Sequence, residues 1–308
     1  MKQVQKSVKR LWKDRTLVLM ALPAVILLIL FNYVPMTGLV LAFKKFDYSK
    51  GLYESAWCGF SNFKQLFLVG DTYWRITRNT VGYYVIFTLV GVICEIALAI
   101  AISELAFKRA GKYLHSAVIL PTFISAVALQ YIVNAFLNKR TGMLNHLITL
   151  LGGEPIDFYL SAGYWPLILT IVNVWISAGY GSILYLSALS GIDQEMYEAA
   201  SLDGANKWKQ IRYITIPMLV PMISIKLLLG LGGIMHSNTG LFYQVTKNSG
   251  ALYSTTQVLD SYVLNAITTS ANFGVTAAVT FYQSVIGCVM TVVVNLIVKK
   301  ISPENALF

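Results

Sequence analysis

The chain has 308 residues, of which 56% are hydrophobic and 12% charged, with a formal net charge of +10. Soluble globular domains carry roughly 25% charged residues, so half that density at this length excludes an ordinary soluble enzyme and indicates a polytopic membrane protein.

Intervals without charge locate the spans, because a helix needs about 20 apolar residues to cross the hydrocarbon core. Thr16 to Phe43 holds no Asp, Glu, Lys or Arg and predicts a first span at 17–41. A basic tail before an apolar run also fits a signal peptide, but this run continues to Phe43 and has no small-residue cleavage pattern. Residues 44–79 follow, dense in aromatic and charged side chains (Phe46, Tyr48, Trp57, Phe63, Trp74), and read as an interfacial or short amphipathic loop. The second span, 80–106, is interrupted only by Glu95 and Glu104; Glu104 lies near its end, beside basic neighbours such as Lys108. A third span is predicted at 114–137, a fourth at 164–189, a fifth at 215–235 containing Lys226, and a sixth at 273–298. The connections 139–163 and 236–272 carry Gly, Asn, Ser and Thr clusters and read as loops.

Lys and Arg set the orientation. With the N-terminus inside, the cytoplasmic segments hold Lys2 to Arg15, Lys108, Arg109, Lys112, Lys207, Lys209, Arg212, Lys299 and Lys300, the larger share of the basic residues on the shorter loops. Both termini are predicted cytoplasmic, with tails at 1–16 and 299–308 around one membrane domain at 17–298. The basic charge is then a topology signal and implies no nucleic-acid partner. The odd, scattered Cys58, Cys94 and Cys288 show no metal spacing and read as buried small hydrophobes.

Catalytic patterns are absent from the sequence. It holds no Gly-rich phosphate loop, no His-Glu-x-x-His and no Gly-x-Ser-x-Gly, and His115, His146 and His236 lie in different segments. No catalytic residue, metal site or bound cofactor is expected. Energy-requiring work must draw on a partner or an ion gradient.

The segment 193–217 between the fourth and fifth spans is the informative one. Asp193 can cap a helix whose first turn carries Gln194 and Glu195. Met196, Ala199, Ala200 and Leu202 make a small apolar face, and Gly204 stands where the helix would stop or turn. Trp208, Ile211, Ile214 and Ile216 then lead to Pro217. By physics alone this is either a helix lying on the membrane surface or one docking into another protein's groove.

Glu198-Ala199-Ala200, Gly204 four residues later, and Ile216-Pro217, with Tyr197, Asp203 and Ala205, closely resemble the EAA motif of binding-protein-dependent ABC importer permeases. Ile216 stands where Leu is usual. Six predicted helices, Ala21-Leu22-Pro23-Ala24 and Asn32-Tyr33-Val34-Pro35 resemble the carbohydrate-uptake branch of the MalF and LplB type, over nearly the whole chain. The resemblance implies an all-α, type I importer permease (MetI-like fold) in the bacterial cytoplasmic membrane. It further implies a second, usually different permease subunit, two ATPase subunits that use ATP and Mg, and a substrate-binding protein outside. By this likeness Glu198, Ala199, Ala200, Asp203, Gly204, Ile216 and Pro217 couple the chain to an ATPase.

Polar residues inside spans are costly unless paired or functional. Asn173, Ser177 and Tyr180 share one helix face by their four-and-three spacing. By the resemblance they fall where maltose-type permeases contact sugar, as do Gly230, Gly233 and Ser237 with neighbouring His236 and Asn238; Ser177 stands for the usual Gly, and the usual Asn residues are absent from the second stretch. Interhelical hydrogen bonding is the other reading of the Asn173 face. Lys226 either snorkels or lines the cavity, where it would favour acidic sugars, and Glu95 suits a structural pairing better than proton coupling. The implied solute is an oligosaccharide or polysaccharide fragment, with an acidic, uronate-containing glycan among the candidates. A self-contained ion-coupled transporter or channel, with Glu95 as its proton site, is the alternative.

Overall fold

The computed structural model describes residues 15–68, 71–105 and 108–301, so the expected tails at 1–16 and 299–308 fall largely outside the described residues. Among the described residues, five helices are long and apolar enough to cross a membrane: Arg15–Phe43, Thr72–Ser103, Ala162–Ser190, Lys207–Leu231 and Phe273–Lys300. They match the first, second, fourth, fifth and sixth predicted spans.

The third span differs from the expectation of one straight helix. Tyr113–Phe123 and Ala126–Leu137 meet at a bend of 101°. Pro121 shapes a tight turn at Leu120–Phe123, Ile124 is extended, and the Ser125 side chain restarts the helix by accepting from the Ala128 N–H. Each arm is about 18 Å long at 1.5 Å per residue, so a crossing here needs both.

The chain forms two compact units, the residues up to 68 with Ala266–Tyr282, and the residues from 71 to Asn265 with those from Gln283 onward. In the first unit, Lys44–Lys45 pairs antiparallel with Ala56–Trp57. Lys44 is 4% exposed, which its ammonium tolerates because it donates to the carbonyls of Leu52 and Tyr53 and lies 5.4 Å from the centre of the Trp57 ring. The aromatic density read in 44–79 becomes packing. Phe43 meets Phe60, Phe63 and Phe281, while Phe46 and Tyr48 meet Phe273, all with centroids within 6 Å. The predicted loop is shorter than expected, because helix begins at Thr72. Among the described residues, nothing buries the first span's most apolar window.

The second unit is built on the second span packed against the fourth. Its core holds Tyr83, Leu129, Trp165, Leu169, Phe242 and Val258. Trp165 is fully buried and its indole N–H donates to the Phe158 carbonyl at 2.7 Å. Close approach of the bent third span to the fourth depends on Gly179, where a Cβ would overlap the Val118 carbonyl. Between these spans Asn145 is 2% exposed and ties the connecting loop, accepting from the Ile156 N–H at 2.8 Å and donating to the carbonyls of Ile156 and Asn138 at 2.9 and 3.1 Å. The fifth span begins earlier than predicted, at Lys207, and ends at Leu231, where Gly230, Gly232 and Gly233 favour the turns that follow. A wide helical turn at Ile211–Thr215 precedes Pro217 and accommodates its missing N–H. The cysteines are partly exposed or exposed rather than buried as the sequence suggested.

Candidate functional site

Seven of the nine expected pathway residues line one cavity of about 270 Å³ in the second unit: Asn173 and Ser177 from the fourth span, Lys226 and Gly230 from the fifth, and His236, Ser237 and Asn238 just beyond it. Tyr180 lines an adjoining cavity of about 280 Å³ that also touches Asn173, Ser177 and Asn238. Gly233 serves the turn instead, its N–H donating to the Gly230 carbonyl at 2.9 Å and its own carbonyl accepting from the His236 N–H at 2.8 Å.

The second span supplies a wall that the sequence reading missed. Thr80, Tyr84, Thr88, Gly91 and Glu95 line the cavity, with Tyr83 and Phe87 beside them. Their spacing of four, four, three and four puts them on one helix face, a signal present in the sequence. The Ser177 hydroxyl donates to its own helix at the Asn173 carbonyl, 2.7 Å away, and so offers the cavity lone pairs.

Glu95 and Lys226, from different spans, form an ion pair. Glu95 is 6% exposed, and an isolated carboxylate at that depth would be strongly disfavoured. The Lys226 ammonium also lies 5.5 Å from the centre of the Tyr185 ring. Gly181 makes room for the pair, since a Cβ there would overlap the Glu95 carboxylate. The structural pairing read for Glu95 is therefore observed, and Lys226 both lines the cavity and has a partner.

Asp260 anchors the 236–237 stretch and carried no sequence signal. It accepts from the Ser237 N–H at 2.6 Å and Ser237 hydroxyl at 2.9 Å, and from the Gln283 amide at 3.1 Å, with His236 Nδ1 at 3.5 Å. Gln283, 1% exposed, also donates to the Met235 carbonyl at 2.8 Å. The stretch 236–238 is thus held by a network rather than left as a free loop.

The 193–217 segment has the helix, turn and second helix expected of it. Asp193 accepts from the Glu195 N–H at 3.0 Å and caps the helix Gln194–Leu202. Asp203 ends it, Gly204 takes φ +77°, and the Ala205 N–H closes back on the Ala200 carbonyl at 2.8 Å. Asn206 starts the next helix by accepting from the Lys209 N–H. Glu198 and Ala199 are exposed, Ala200 is half-buried, and Leu202 and Trp208 are 90% and 80% exposed. Ile216 and Pro217 are exposed within the fifth span. A second cavity, about 720 Å³, lies beside this segment, lined by Glu104, His115, Gln194, Tyr197, Lys207 and Thr215 among others. Glu104 pairs across it with Lys207 at 2.7 Å.

Comparison with known proteins decides the family. Residues 4–303 match the binding-protein-dependent transport system inner membrane component. The chain belongs to this family. Protein LplB of Bacillus subtilis is 30% identical over 95% of this chain and 91% of its own length. The polygalacturonan/rhamnogalacturonan transport permease YteP of the same organism is 28% identical over 96% and 91%. A chain of a bacterial ABC transporter involved in import of the acidic polysaccharide alginate superposes with a TM-score of 0.85 at 30% identity, covering 97% of this chain and 99% of that one. The same transporter type has been solved with an alginate pentasaccharide-bound periplasmic protein. This permease is accordingly a multi-pass inner-membrane component of an ABC importer that works with a binding protein.

Proposed function

We propose that this permease imports an oligosaccharide or polysaccharide fragment, including acidic glycans, through the cavity lined by Asn173, Ser177 and the 236–238 stretch. The observation that carries the reading is the convergence of neutral hydrogen-bonding groups and aromatic faces from three spans on one cavity, in a chain whose relatives include permeases for polygalacturonan, lactose and galactooligosaccharides. Such groups suit sugar hydroxyls and ring faces. Tyr180 extends the path through the adjoining cavity, and Gly230 and Gly233 set the end of the fifth span that shapes it.

In this reading both termini lie in the cytoplasm, and the unit at 17–298 pairs with a second, homologous permease, giving the first span's exposed apolar surface a lipid or subunit to cover it. Two ATPase subunits bind below and use ATP and Mg; the chain itself performs no catalysis. Glu198, Ala199 and Ala200 dock in an ATPase cleft, Asp203 and Gly204 shape the turn, and Ile216 and Pro217 carry the motion into the fifth span. The exposure of Leu202 and Trp208 supports docking over burial in this chain.

The test is uptake by the reconstituted importer, with its binding protein and ATPases, of labelled oligosaccharides of defined charge and length. ATP- and binding-protein-dependent accumulation is expected. Uptake by the purified chain alone, driven by an ion gradient, would instead support the ion-coupled reading, which the engagement of Glu95 by Lys226 argues against.

A further inference from the structure

We propose that Lys226 is the group in this pathway that selects carboxylate-bearing solutes, with Glu95 setting how tightly it holds them. The proposal rests on the cavity being the solute path.

The pair is asymmetric. The Lys226 side chain is 31% exposed and the Glu95 side chain 8%, so the lysine is the more accessible member of the pair. Both line the cavity, where Lys226 is the one lysine or arginine; the polar groups of Tyr84, Thr88, Asn173 and Asn238 are neutral, and His236 is turned to Asp260. An ammonium has three N–H groups. Glu95 takes one, and a solute carboxylate entering the cavity meets its fixed positive charge at the others. A neutral sugar can use the hydroxyl and amide groups equally well and gains nothing from this position.

Glu95 explains how such a site can still release its ligand. A bare ammonium in a low-dielectric cavity would bind an anion too strongly for passage, and conduction needs binding that is favourable but weak. Sharing the ammonium with a buried carboxylate lowers its pull on the solute. Gly181 supports this role, because the absence of a Cβ is what seats the Glu95 carboxylate against the fourth span. A side chain added there would force the carboxylate to shift.

The experiment compares uptake of uronate and neutral oligosaccharides of two to five units by the complete reconstituted importer. Replacing both charges, E95Q/K226M, avoids leaving one buried ion unpaired. It is expected to lower the uronate-to-neutral uptake ratio about tenfold, the scale of one charge-assisted hydrogen bond. E95Q alone bares the ammonium and is expected to tighten uronate binding while slowing uronate passage, so that uronate uptake saturates at lower concentration and at a lower maximal rate than in the parent, with neutral uptake affected less. A pair that merely clasps two spans together would reduce both sugar classes alike in both variants, leaving the ratio at the parental value, and that result overturns the proposal. A parent importer that takes up neutral members but no uronate overturns the selectivity given to Lys226 and leaves the carbohydrate reading intact; one that takes up no member overturns both.

Discussion

Gln210 and Ser201 lie on opposite sides of the Gly204 turn, and the Gln210 amide donates to the Ser201 hydroxyl at 2.7 Å. The same amide lies 3.4 Å from the carbonyls of Tyr197 and Ala205, and the Tyr197 and Thr215 hydroxyls are 3.0 Å apart. Gln210 is 5% exposed. These bonds tie the two helices of the 193–217 segment to each other across the turn. Q210A removes the fastener, a local loss of about 0.5–1.5 kcal/mol. ATP hydrolysis stimulated by the binding protein is expected to fall severalfold at unchanged membrane insertion, read by ATPase assay on purified complex.

Gly204 tests the turn itself. Its φ of +77° is the only obstacle to a side chain, since a Cβ would meet nothing within 4 Å. G204A should cost about 1 kcal/mol and a β-branched residue more, while Asn, which tolerates this conformation, should cost least. Transport rates are expected to rank Gly, Asn, Ala, Val; a flat series would mean that the turn's shape does not matter.

Gly179 and Gly82 should respond oppositely to the same change. G179A drives a methyl into the Val118 backbone carbonyl and must part the fourth span from the bent third, whereas Gly82 faces open space in a helix. Thermal unfolding of the detergent-solubilised protein should drop by several degrees for G179A and hold or rise for G82A, where alanine stabilises helix by about 0.5–1 kcal/mol.

Asn145 serves one acceptor and two donor directions in a single buried amide. N145A is predicted to cost about 2–3 kcal/mol through unpaired groups around Ile156. N145D should cost at least as much, because it turns an acceptor toward two carbonyls. The midpoint of thermal unfolding would separate the two, and a milder N145D would contradict the assigned geometry.

Burial pushes the Tyr159 phenol up to about 12, above its ordinary 10.0, and its hydroxyl has no hydrogen-bond partner. The folded state therefore holds the neutral phenol. Its contribution is fully present below pH 10 and is lost as pH rises toward 12. Y159F, which keeps the ring under the Lys247 ammonium at 4.4 Å, should flatten the alkaline fall in stability between those values.

Much of this architecture is legible locally. Charge-free runs locate the spans because hydrocarbon forbids charge along a whole helix, and Asp193, Gly204 and Asn206 act on backbone within a few residues of themselves. Pro121 and Ser125 also marked the break in the third span, but apolarity alone masks a bend. The Thr80–Tyr84–Thr88 face is periodic and readable, yet hydroxyls in a span fit helix packing equally well until a cavity opens beside them. Asp260 under Ser237, and Lys226 on Glu95, join residues 23 and 131 positions apart, and nothing local encodes such a meeting.

Gly181 turns that distant meeting into an inherited constraint. Because its missing side chain leaves room for the Glu95 carboxylate, and because Glu95 in turn pairs with Lys226, a change at one of positions 95, 181 and 226 bears on the other two. Homologues with a larger residue at the position of Gly181 should have given up the acid, and with it the lysine. In an alignment of this family these three columns should drift together, and the boundary where they switch should mark a change in the charge of the cargo.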